Sequence, residues 1–81
     1  EQVYPNPTGT SISFQVELGE AATVSAQVFD QFGNYLTTSG SYGTGEQTIV
    51  FNNTSSLQQG TLSYVITAGS ETFTGNIIKL Q

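Results

Sequence analysis

From Ser11 to Leu18 the chain alternates without a break. Ile12, Phe14, Val16 and Leu18 are apolar, while Ser13, Gln15 and Glu17 are polar. Successive side chains of a β-strand point to opposite faces, so this pattern predicts a strand with one buried and one wet face. Ala22–Phe29 repeats the pattern through Val24, Ala26 and Val28, and Thr61–Ala68 repeats it through Leu62, Tyr64, Ile66 and Ala68. Phe29 breaks its run, which predicts a strand end or a half-covered second face. Glu46–Phe51 is a further strand with an open register: either Thr48 and Val50 or Ile49 and Phe51 face inward. Glu71–Leu80 is the last strand. There Phe73, Gly75 and Ile77 share one parity while Ile78 and Leu80 share the other, and the switch predicts a bulge near Gly75-Asn76.

The segments between these runs carry turn chemistry. Gly19-Glu20 marks a turn, and Gly33-Asn34, at the end of Asp30–Asn34, predicts a hairpin reversal because Gly and Asn tolerate positive φ. A short strand is expected around Tyr35–Thr38. Gly40, Gly43 and Gly45 predict a loop after it. Asn52–Ser56 is polar, Leu57 is a lone apolar anchor inside a loop, and Gly69-Ser70 predicts a tight turn. No window of adequate length shows the helical period, and turn signals recur about every 8–12 residues, the spacing of a sandwich or barrel. The expected structure is one all-β domain over residues 1–81. It is an Ig-like antiparallel β-sandwich of about seven strands with Greek-key connections. Ile12, Phe14, Val16, Val24, Val28, Phe51, Leu62, Ile66 and Ile77 line its inner faces.

Composition narrows the function. Six carboxylates stand against Lys79 as the sole basic residue, for a net charge of −5. Neutralising nucleic-acid phosphates takes a Lys or Arg cluster, so nucleic acid is excluded as a partner. Attraction to an anionic membrane surface fails for the same reason, and no stretch approaches the roughly 20 apolar residues of a membrane-inserted helix. Cysteine is absent, so strand pairing and apolar burial carry the fold without disulfides. The chain starts at Glu1-Gln2 with neither an initiating Met nor a signal peptide, and reads as a piece excised from a longer parent.

Chemistry for catalysis is missing. Without His or Cys the commonest general base, the thiol nucleophile and the usual transition-metal ligands are gone together. Glu17 and Glu20 flank a turn, where solvated carboxylates are ordinary. Asp30 alone lacks the several convergent oxygens of a calcium site. No GK[ST] follows the glycines, so no phosphate loop forms. The chain is expected to need no cofactor and to be no enzyme. Asn52-Asn53-Thr54-Ser55 holds two overlapping glycosylation sequons, read as a polar loop. Phe29, Phe32, Tyr35 and Tyr42 are candidate exposed aromatics able to stack on sugar rings.

The ordered series of short motifs resembles the type A C-terminal sorting domain of bacterial type IX secretion cargo. The family opens with an apolar strand running into Pro-Asn-Pro, here Val3-Tyr4-Pro5-Asn6-Pro7. Proline fixes φ and withholds a ladder donor, which suits an edge strand or a strand exit. An alternating strand follows, then a strand ending in an aromatic-Asp pair (Phe29-Asp30) with a glycine three residues on (Gly33). Leu57-Gln58-Gln59-Gly60-Thr61-Leu62 matches the family's Leu-x-x-Gly-x-Tyr with Leu in the last place. Thr74–Leu80 matches its terminal strand of aliphatics with Lys. Asn34 stands where a basic residue is usual, and Asn76 where Lys is common.

The resemblance implies a secretion signal that acts as a folded address. The parent crosses the periplasm, an outer-membrane translocon recognises the C-terminal module, and a sortase removes it while attaching the parent to the cell surface; the parent is therefore secreted or surface-bound. Recognition is expected near the final hairpin, through Gly60, Gly69, Ile77, Ile78, Lys79 and Leu80, with Pro5, Asn6, Pro7 and Gly33 as motif residues. A terminal strand at a sheet edge offers unpaired backbone to a receptor strand, and also permits a weak sheet-edge dimer. Two rival readings stand beside this one: a carbohydrate-binding Ig-like or fibronectin-like module of a polysaccharide-degrading enzyme, and a passive spacer.

Overall fold

The computed structural model describes residues 3–7 and 11–79. They form strands β1 (Val3–Pro7), β2 (Ile12–Leu18), β3 (Ala22–Phe29), β4 (Tyr35–Tyr42), β5 (Gly45–Phe51), β6 (Gly60–Ala68) and β7 (Glu71–Lys79). One sheet has the order β1-β2-β5 and the other β4-β3-β6-β7, with all neighbours antiparallel. No helix is present among the described residues. The β2–β5 and β3–β6 pairs interleave across the two layers, which is Greek-key connectivity.

The alternating runs place the core between the sheets. Ile12, Phe14, Val16 and Leu18 from β2 meet Val24, Ala26 and Val28 from β3 and Leu62, Tyr64, Ile66 and Ala68 from β6 in one buried cluster. Phe14 joins the layers: its ring lies 5.0 Å from Tyr64 in the opposite sheet and 6.3 Å from Phe51 in its own. All nine residues expected to line the inner faces are buried. In β5 the open register resolves to Ile49 and Phe51 inward, with Val50 exposed. Leu57 is buried at 2 % exposure and anchors its loop to the core.

Four local expectations are corrected. The stretch holding Gly40, Gly43 and Gly45 is mostly strand: β4 runs through Gly40 to Tyr42, and Gly45 opens β5. Gly40 has no positive φ and sits beside the Tyr42 ring, so it continues the pleat. The β3–β4 reversal centres on Gln31-Phe32-Gly33. Asp30 N–H donates to the Asn34 carbonyl at 2.9 Å, and only Gly33 has positive φ, at 93°. That is the geometry of a three-residue hairpin loop with glycine in the left-handed position. The expected bulge at Gly75-Asn76 does not occur, because β6 and β7 keep one register from Gly60↔Lys79 to Ala68↔Glu71. Ile78 simply faces outward, and Gly75 lies opposite Tyr64, whose ring occupies the space a side chain would take. Finally, Phe29 and Tyr42 are half-buried, leaving Phe32 and Tyr35 as the exposed aromatics.

The β6–β7 turn is the expected Gly69-Ser70. Gly69 has φ of 62° while Ser70 stays negative, the sign pattern of a type II′ hairpin, whose twist matches that of its strands.

Candidate functional site

Antiparallel registers decide which segments share an end of the sandwich. Pro7 pairs with Ile12 and Ile12 with Phe51, while Phe29 pairs with Tyr35 and Ser63, and Gly60 with Lys79. The exit of β1, the Asp30–Asn34 turn, the loop from Asn52 to Gln59 and the end of β7 therefore gather at one end. The turns at Gly19-Glu20, Gly43-Thr44 and Gly69-Ser70 lie at the other.

Asp30 ties the first end together. Its Oδ1 accepts from the backbone N–H of Phe32 at 2.8 Å and of Asn34 at 2.9 Å. Its Oδ2 accepts from Asn34 Nδ2 at 2.7 Å and from the Gln58 N–H at 2.9 Å. The last bond spans 28 positions of sequence and joins the hairpin turn to the Leu57–Gly60 segment. Burial alone raises the Asp30 pKa. The donors from Gln58, the Asn34 side chain, and the Phe32 and Asn34 backbones outweigh it and bring the pKa from 3.8 down to about 2. A carboxylate whose two oxygens each hold two donors is a structural clasp, with little capacity left for a calcium ion.

The rest of the end is held locally. Leu57 N–H donates to the Thr54 carbonyl at 3.0 Å, and Ser55 N–H to Asn53 Oδ1 at 3.0 Å. Thr54 is fully buried, and its Oγ1 finds no hydrogen-bond partner among the described residues. Gly60 enters β6 with φ of 119°, where a side chain would be strained, and a Cβ there would lie 3.8 Å from Gln31 Oε1 in the facing turn. On the outer face of β6 and β7, Ser63 Oγ donates to Asn76 Oδ1 at 3.2 Å.

Of the residues singled out for recognition, Gly60, Ile77, Ile78 and Lys79 stand together at this end. Ile77 is buried and faces the core, whereas Ile78 is 54 % exposed. Gly33 joins them in the Asp30 turn. Gly69 is at the opposite end, beside a concavity lined by Glu20, Ala22, Ala68 and Glu71. Pro5, Asn6 and Pro7 lie on β1, at an edge of the three-stranded sheet as their chemistry demands. Leu80 is outside the described residues. β7 is an edge of its sheet, as expected for the terminal strand. The bond from Gln58 has no local signature in the sequence. The Phe-Asp-x-x-Gly spacing signals the turn, but nothing local marks a partner so far along the chain.

No group of three or more His, Cys, Asp and Glu able to hold a metal occurs among the described residues. A family model described as "Secretion system C-terminal sorting domain" matches residues 2–80. The chain belongs to this family. It is a type IX sorting domain, and its parent is destined for the cell surface or the extracellular space. This family is a secretion signal and not a catalytic one. No curated protein and no solved structure matches the chain.

Proposed function

We propose that the sorting domain is recognised as a folded object by the outer-membrane translocon, at the end where the family's motifs converge. The observation that carries this reading is the Asp30 clasp. It holds the Phe29–Gly33 turn against the Leu57–Gly60 segment beside the end of β7, so motifs remote in sequence form one surface. As an edge strand, β7, with Ile78 exposed and Lys79 beside it, offers backbone groups to a receptor strand. Only the assembled sandwich presents that surface, so the parent folds in the periplasm before recognition, and the sortase acts afterwards. A carbohydrate-binding or spacer role is not favoured by the family match.

Two variants of a reporter fused to this domain test the reading. Deleting Ile77–Gln81 should leave the reporter in the periplasm. Asp30→Ala should keep the strands, judged by circular dichroism, and still reduce export, because the motif end loses its clasp. Normal export of both variants would overturn the proposal.

A further inference from the structure

Among the described residues four strands lie at sheet edges, and three of them carry a recognisable device against pairing. β1 holds Pro5 and Pro7, β5 holds Glu46, and β7 carries Glu71 and Lys79. Proline and charge are the usual means of blunting an edge. β4, Tyr35–Tyr42, has none: no proline, no charge, and an unbroken register with β3 over all eight residues. This is notable in a chain of net charge −5.

We propose that the free edge of β4 pairs with β4 of a second copy, antiparallel about a two-fold axis at Ser39, joining two four-stranded sheets into one. The Asp30–Asn34 bond closes the hairpin, and antiparallel bonding alternates from there. Leu36, Thr38, Gly40 and Tyr42 therefore direct their backbone groups to β3, while Tyr35, Thr37, Ser39 and Ser41 turn theirs to the open edge. With the axis at Ser39 those outward residues meet one another: Thr37 faces the partner's Ser41, and Ser39 faces the partner's Ser39. On the other face Leu36 meets the partner's Tyr42. Both residues are half-buried and pack on the core, so the new contact extends the core of each copy. Hydroxyl faces hydroxyl and apolar faces apolar, the self-complementarity that a two-fold interface requires. Among the described residues the carboxylates stay clear of it: Glu17 and Glu46 are on the other sheet, and Glu20, Asp30 and Glu71 lie at or beside turns.

β4 and β7 are opposite edges of one sheet, so the dimer leaves both β7 edges open. Two recognition ends on one particle raise the effective concentration of the second once the first is engaged.

Sedimentation of the 81-residue chain tests this. Between about 10 µM and 1 mM it should pass from monomer to dimer, as a weak interface does. Added salt should strengthen the dimer by screening the net charge of each copy. Thr37→Lys/Ser41→Lys places like charges opposite one another and should weaken association about tenfold or more. Thr37→Glu/Ser41→Glu should do the same, and an equal mixture of the two variants should associate again. Ser39→Cys provides a check on the native surface: oxidation should give a covalent dimer, whereas Thr74→Cys on the outer face of β7 should not. A wild type that is monomeric throughout the range, a mixture that fails to associate while both variants are folded, or a Ser39→Cys chain that does not cross-link any better than the Thr74→Cys control would overturn the proposal.

Discussion

Gly75→Ala gives the most direct test of how the sheets close. Gly75 lies directly opposite Tyr64 across β6 and β7. A Cβ added at Gly75 would stand 2.6 Å from the Tyr64 hydroxyl oxygen, 2.7 Å from Cζ and 2.9 Å from Cε2. The ring cannot easily retreat, because Phe14 packs against it with ring centroids 5.0 Å apart. Overpacking a filled site costs about 1–3 kcal/mol. Replacing a strand glycine by alanine returns about 0.5–1 kcal/mol through a less flexible unfolded chain. The net is a destabilisation centred near 1 kcal/mol and at most about 2.5 kcal/mol, or a fall in Tm of roughly 4–8 °C at the centre of that range for a domain of this size. Leucine at position 64 has none of the three clashing atoms, so in a Tyr64→Leu background Gly75→Ala should be neutral or stabilise by up to about 1 kcal/mol. Tyr64→Phe keeps Cζ and Cε2 and should not relieve the clash. Urea titrations of the four proteins of the cycle read the coupling, about 2 kcal/mol, as the difference between the two backgrounds. Equal effects of Gly75→Ala in both backgrounds would refute the argument that the ring is what demands glycine.

Three further outcomes follow from the described contacts. The Asp30 pKa is depressed to about 2, so its clasp contributes stability that is complete above the ordinary carboxylate pKa and lost as pH falls from about 4 toward 2; acid titration of Tm should show that loss, and Asp30→Asn should flatten it over the same window. Thr54 buries a hydroxyl with no partner among the described residues, so Thr54→Val should stabilise by about 1–2 kcal/mol in urea titration; a loss of stability would mean that the hydroxyl is satisfied in solution. Glu17 lies directly opposite Glu46 across β2 and β5, and like charges so placed destabilise, so Glu46→Lys should add about 0.2–1 kcal/mol, with the gain shrinking as salt is raised.

Much of this protein is readable one residue at a time. Ile12 to Leu18, Val24 to Val28 and Leu62 to Ala68 announce their strands and buried faces because a period of two is a local property of extended backbone. Gly33 and Gly69 announce their turns because a positive φ selects glycine whatever surrounds it. Glycine is ambiguous wherever its reason lies in another strand. Gly40 looks like a loop residue until β3 pairs with it, and Gly75 looks like a bulge until the Tyr64 ring is seen above it. The residues proposed for recognition divide in the same way. Gly60 and Lys79 are 19 positions apart in sequence and adjacent in register, while Gly69, between them in the chain, stands at the far end. The alternation of apolar and polar residues determined that the chain folds into strands and which side of each is dry. Tertiary structure alone decided which strands became edges, that β4 is left without a guard, and that Asp30 reaches Gln58. Those outcomes depend on pairing between remote segments, and no local preference of the backbone encodes a remote partner.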